Sequence, residues 1–301
     1  MKAVFKNAPV YMQVMMLLAV IFFGVFFSSF LTSLLIVFKM GISPETLKEV
    51  LHNIFDYPDI LRGMQFLQTL GIFLFPAIVC AWMFSDNYKE YLGIDQPFQT
   101  SLVLWTIFSI IAAIPFLNWT YALNQQMALP ESLKVLETWM KESEAAATRI
   151  TDLLLDTKNI STIVFNILAV CVIAAISEEF MFRGLLQNLF GRIFRNPHVL
   201  VWTIAILFSA FHLQFYGFIT RMLLGAWLGY LMYYTKTIWL PVLAHFTNNF
   251  ISVGTYYLFQ DKPDEIEKID ALGTGSTWWL SFASIALFLF CFNRIKKTVI
   301  Q

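Results

Sequence analysis

The chain has 301 residues, of which 58% are hydrophobic and 13% charged, and its formal net charge at pH 7 is zero. Soluble domains carry about 25% charged residues, so this composition excludes an ordinary soluble domain and indicates an integral membrane protein. A mean hydropathy of +0.66 agrees. The balanced charge leaves no basic surface, so nucleic acid is not an expected partner, whereas the lipid bilayer is.

A membrane span needs about 20 mostly apolar residues. The first such run covers residues 10–38, behind Lys2 and Lys6. It is too long for the apolar region of a signal peptide and has no small-residue cleavage site, so it is read as a retained first span. The second run is 64–84 and the third 98–117, with Pro115 near its end. A polar stretch, 131–158, is expected to form one or two surface helices. The fourth run, 159–190, contains the adjacent carboxylates Glu178 and Glu179. The fifth is 199–215, the sixth a short run at 222–234, the seventh 239–259 and the eighth 277–292. Pro241 suits the first turn of the seventh.

These runs predict an all-α, multi-pass transmembrane bundle of about eight spans with a polar catalytic cavity. The whole chain, 1–301, reads as a single integral membrane domain. Its segments are 1–158 (spans and polar linker without motifs), 159–259 (a motif-bearing core) and 260–301 (last loop and span). Cys80, Cys171 and Cys291 each lie in an apolar run without CxxC spacing, as packing thiols do. Gly225 and Gly229 form a GxxxG pair, whose default meaning is close helix packing. The oligomeric state is not legible.

Both ends of an even number of spans lie on one side. Lys2 and Lys6, Arg192 and Arg195, and Arg294, Lys296 and Lys297 fall on that side. The positive-inside rule then puts both termini in the cytoplasm of a cell-membrane protein. The opposite loops hold most of the acids, among them Asp264, Glu265, Glu267 and Asp270, with some lysines.

Ionisable groups inside such spans are costly and mark sites. Arg183 follows Glu179 by four residues, one helical turn, and can pair with it. Glu178 has no such local cation. His212 lies near the end of the fifth run, and His245 and Asn249 share one face of the seventh. Each group alone has a plain explanation, as an interhelical hydrogen bond or a structural ion pair. Together, the Glu178 carboxylate and two imidazoles make the set of a water-activating hydrolytic site or a proton relay. The one-helix zinc motif HExxH is absent. A divalent metal such as Zn held by His212, His245 and Glu178 is compatible with the sequence but not required by it. A metal-free site, with Glu178 activating water and His245 and Asn249 facing the oxyanion, is equally compatible.

Glu178-Glu179-x-x-x-Arg183, Phe208-x-x-x-His212 and His245-x-x-x-Asn249 resemble the three motifs of the CPBP family. That family comprises type II CAAX prenyl endopeptidases and bacteriocin-processing or bacteriocin-immunity (Abi) membrane proteins. The resemblance covers residues 159–259. It implies an intramembrane endopeptidase, a metalloprotease in one description of the family, that acts on a membrane-associated protein or peptide of CAAX-like or leader-peptide type. It implies Glu178 as the base on water, His212 as its partner, and His245 and Asn249 as oxyanion stabilisers. In the metal-dependent description His245 is a ligand instead. Glu179, Arg183 and Phe208 are implied to be supporting residues. The alternative from a different class is a non-catalytic membrane scaffold or immunity-type binding protein. A proton-coupled transporter fits less well, for want of an internal repeat.

Overall fold

A computed structural model describes residues 2–41 and 43–300. Among these the chain is helical throughout, without strands. In chain order the helices are α1 (Val10–Met40), α2 (Pro44–His52), α3 (Pro58–Phe84), α4 (Tyr88–Leu92), α5 (Thr100–Gln125) and α6 (Lys134–Leu155). They continue with α7 (Ile160–Phe190), α8 (Pro197–Phe211), α9 (Phe218–Thr235), α10 (Trp239–Phe259), α11 (Pro263–Asp270) and α12 (Trp279–Ile300). Each apolar run of the sequence forms a helix over most of its length. Among the described residues, five helices (α1, α3, α5, α7 and most of α12) are long and apolar enough to cross a membrane, and α8 is apolar but shorter. The protein is a multi-pass membrane protein. The polar stretch after residue 130 forms a single long helix, α6, behind one 3-10 turn.

The chain divides into two compact units. Unit 1 comprises Met1–Ile94 and Arg149–Ile193, and unit 2 comprises Asp95–Thr148 and Phe194–Gln301.

In unit 1, α1 buries a narrow stripe that includes Gly24, Ser28 and Thr32 and turns its phenylalanines outward. Lipid is as apolar as a phenylalanine, so helices in a membrane meet through small residues that let backbones approach. A methyl group added at Gly24 would lie 1.9 Å from the carbonyl oxygen of Gly71 on α3. No larger residue fits that crossing. At the crossing α3 widens to π-helical geometry over Leu70–Leu74, directly before Pro76. Proline has no N–H to donate and its ring crowds the preceding turn, so a wider turn relieves the clash.

In unit 2, α5 runs through Pro115 and on to Gln125, where the sequence suggested an end near residue 117. The reason lies on α12. Ser284 accepts from the backbone N–H of Phe116 at 3.3 Å and donates to the carbonyl of Ala112 at 2.5 Å. One hydroxyl thus stands between a donor and an acceptor of the turn that proline disturbs, the repair expected where no water can reach the backbone. Ser281 donates to the carbonyl of Pro115 itself at 3.1 Å. Leu102, Ile110, Leu224, Trp227, Leu228, Leu240 and Ile295 form the apolar core of this unit.

Candidate active site

Unit 1 carries the carboxylates. Helix α7 begins with Asn159 as its cap, whose side chain accepts from the backbone N–H of Ser161 at 2.9 Å and of Thr162 at 3.3 Å. The helix is continuous to Phe190 but irregular inside. Two π-helical stretches, Ile167–Ile173 and Phe180–Leu186, flank one regular turn and a half, Ala174–Glu179. Such wide turns concentrate at functional sites, because they rotate side chains away from an ordinary helical register.

The pairing expected from the spacing is present. Arg183 donates to Glu179 at 2.8 Å, and both side chains are 0% exposed. Neither charge could be buried alone, since the desolvation cost of each is several kcal/mol, and the pair offsets it only through close geometry. The guanidinium also lies 5.9 Å from the ring of Phe182, which packs on Phe73 of α3. Glu178 differs from its neighbour: it is half-buried, with Oε2 the shielded oxygen. Sequence reasoning passed over Gln187, which is buried on the stripe of Glu179 and Arg183. The continuation of the four-residue spacing, 179, 183, 187, was the available signal.

Unit 2 carries the imidazoles. Helix α8 is capped by Asn196, which accepts from the backbone N–H of His198 at 2.9 Å, and begins on Pro197. His212 sits just past the last turn of this helix, where its Nδ1 is 2.9 Å from the carbonyl oxygen of Phe208. A carbonyl only accepts, so Nδ1 carries the proton and the lone pair of the neutral ring is on Nε2. Phe208 is fully buried and touches both histidines. Its ring centre is 5.0 Å from that of His212 and 5.9 Å from that of His245, in edge-to-face contact with both.

Close packing of α8 on α9 allows this arrangement. A methyl group at Gly225 would lie 3.1 Å from Phe208 and 3.3 Å from the backbone of Ala205. The GxxxG glycine therefore serves helix packing within the unit. His245 is 5% exposed on α10. Asn249 follows one turn later and accepts from the side-chain amide of Asn248 at 3.3 Å. The structure thus brings His212 and His245 onto one aromatic ring, and places Asn249 on the helix of His245. His198, by contrast, pairs with Tyr230 at 2.7 Å, away from this cluster. Among the described residues no three His, Cys, Asp or Glu side chains gather to hold a metal ion.

No curated protein and no solved structure matches the chain. A family model does: residues 160–251 match the family described as Type II CAAX prenyl endopeptidase Rce1-like. The matched segment begins at the start of α7 and contains every motif residue from Glu178 to Asn249. This match over residues 160–251 is consistent with the resemblance to the CPBP family and supports, in general, an intramembrane protease.

Proposed function

We infer that the protein is an endopeptidase that hydrolyses a peptide bond of a membrane-associated protein or peptide, using water activated by Glu178. The observation that carries this reading is the coincidence of one family match, residues 160–251, with the segment that holds Glu178, Glu179, Arg183, His212, His245 and Asn249. In the proposed reaction the Glu178 carboxylate takes a proton from water as its oxygen attacks the substrate carbonyl. The Nε2 lone pair of His212 accepts the second water hydrogen and so orients the nucleophile. His245 and Asn249 donate to the oxygen that becomes negative in the tetrahedral intermediate. Protonated Glu178 then returns its proton to the leaving amine. Glu179 and Arg183 touch no reacting atom in this scheme; they hold the turn that presents Glu178.

The setting of these groups in apolar helices supports one substrate class. A peptide must enter apolar helices to reach them, so a lipidated or membrane-tethered segment, of CAAX or leader-peptide type, suits the site better than a free soluble peptide. The charge pattern of the loops supports cytoplasmic termini. Reporter fusions at each end test that orientation, and an external signal from either would overturn it.

The decisive experiment is cleavage of a library of lipidated and membrane-tethered peptides by the purified protein. Cleavage is expected from the native protein and not from Glu178→Gln, His212→Ala or His245→Ala. Full activity of Glu178→Gln would overturn the mechanism. Cellular function retained by that variant, with no cleavage by either protein, would favour the scaffold or immunity-type reading.

A further inference from the structure

Helix α8 ends at Phe211, immediately before His212, and α9 begins at Phe218. The connection starts at the histidine itself. Leu213, the next residue, has φ +53°, a left-handed conformation that a leucine side chain disfavours. Its side chain is exposed, so packing of the leucine does not hold the turn in place.

Other side chains do. Five backbone groups between Gln214 and Ile219 are met by side chains of unit 2. Arg221 donates to the carbonyl of Gln214 at 3.0 Å, and Glu144 of α6 accepts from the N–H of Tyr216 at 3.2 Å. Ser209 donates to the carbonyl of Phe218 at 2.7 Å. Asn124, at the end of α5, meets the remaining two. Its amide nitrogen donates to the carbonyl of Phe215 at 3.1 Å, and its oxygen accepts from the N–H of Ile219 at 2.8 Å. Trp139 of α6 packs on the ring of Phe215, with centres 5.1 Å apart.

Asn124 is 3% exposed and spans the 3-10 turn Phe215–Gly217 with one side chain. A carbonyl accepts and an N–H donates, so its two partners fix which end of the carboxamide faces which. Ser209 carries the restraint back to the histidine. It is 0% exposed and ties the first turn of α9 to the last turn of α8, and its own carbonyl accepts from the backbone N–H of His212 at 3.3 Å. The same last turn supplies the Phe208 carbonyl that lies 2.9 Å from Nδ1 of His212. Helix ends have orphan carbonyls and fray when nothing holds them. A released connection would therefore free the imidazole from the carbonyl that sets its tautomer.

We propose that Asn124 is a positioning residue for His212. By clamping Phe215 to Ile219 it keeps the last turn of α8 closed, the proton on Nδ1 and the lone pair on Nε2. It touches no reacting atom. It lies on α5, outside residues 160–251, so a residue beyond the matched segment orients one within it. The effect on catalysis rests on the reading of His212 as the partner of Glu178; the effect on the ring does not.

Nitrogen-15 NMR of the full chain in detergent, labelled at histidine, tests it at about pH 8, above the ordinary histidine range. Protonated and bare ring nitrogens have well separated shifts, so the tautomer is read directly. The chain has four histidines, and the signal of His212 is the one lost in His212→Gln. Native His212 is expected as the Nδ1–H form. Asn124→Leu, similar in size but unable to hydrogen-bond, should raise the Nε2–H form to a comparable share. It should also lower kcat for peptide cleavage about tenfold, with KM unchanged. Thr120→Val is the control for a general loosening of α5 against α9. Thr120 meets Thr220 at 3.1 Å one turn before Asn124, and its loss should leave both the His212 signal and kcat unchanged. Should Asn124→Leu fail to fold, Asn124→Asp is read in its place. That variant keeps the acceptor for Ile219 and loses the donation to Phe215, so the same direction of shift is expected. An unchanged His212 tautomer in the folded Asn124 variant, or an equal shift in Thr120→Val, would overturn the proposal whatever the protein cleaves. A shifted tautomer in a protein that cleaves no peptide would support the positioning of His212 and count against the protease reading alone.

Discussion

The helix of the glutamates and the pair of histidines solve the same problem in different ways. In unit 1 two carboxylates sit in an apolar helix, and the compensating charge comes from the same helix one turn on, Arg183 to Glu179 at 2.8 Å. The backbone there is irregular, with wide turns on both sides of the glutamates. In unit 2 the polar groups are rings that can be neutral, and the helices around them are regular. A single carbonyl orients His212, and one phenylalanine ring touches both it and His245. The difference follows from desolvation. A buried charge requires a partner at contact distance, and the same helix is the surest source of one. A neutral imidazole needs only one hydrogen bond, so its position can be left to packing between helices.

The largest expected effect separates chemistry from support within unit 1. Glu178→Gln should lower cleavage by about 10³-fold, the usual range for removing a general base, with the unfolding midpoint unchanged. A large shift of the midpoint would instead give Glu178 the structural role assigned to Glu179. Next comes the ion pair. Arg183→Met leaves Glu179 buried without its cation and should cost about 3–5 kcal/mol of stability in denaturant unfolding. The double variant Glu179→Gln, Arg183→Met should recover much of that loss, because no charge then remains to be desolvated.

The comparison sharpens further in unit 2. Ser284→Ala removes the hydroxyl that stands in the disturbed turn of α5 and should cost about 1–3 kcal/mol, read by the same unfolding experiment. Phe208→Leu leaves every polar group in place but loses the ring that touches both histidines. A fall of about tenfold in kcat, with KM little changed, is expected from the loss of orientation. A KM effect alone would place Phe208 against substrate rather than behind the imidazoles. The smallest expected effect is that of a chelator. In the proposed scheme Glu178 activates water without a metal, so strong chelation should leave the cleavage rate unchanged. Loss of activity restored by Zn would move the mechanism from a carboxylate base to a Lewis acid.

Much of this was legible in the residues. The charge deficit and the long apolar runs required a helical membrane protein, because only helices or closed barrels satisfy the backbone in lipid. The four-residue spacing of Glu179 and Arg183 was enough to pair them, since a helix turns once in 3.6 residues whatever surrounds it. The order of the three motifs pointed to the family that matches residues 160–251. Local chemistry and local periodicity survive in a sequence because they do not depend on distant residues.

What depended on distant residues was not legible. Nothing near Pro115 says that α5 continues past it; the serine that supports the turn comes from Ser284, on a helix 168 positions away from Phe116 in sequence. Pro76 gives a local reason for α3 to widen over Leu70–Leu74, but nothing near Gly71 says that Gly24 of α1 crosses it there. The role of Phe208 as a ring in contact with two histidines, and the hold of Asn124 on the turn after His212, arise only where several helices pack. The sequence by itself determined the class of protein, its helices and the candidate residues of its site, all set by composition and by spacing along each helix. Only the tertiary structure decided which backbone breaks are repaired and which side chains hold the turn after His212, because those are contacts between helices and each needs a partner the local sequence does not name.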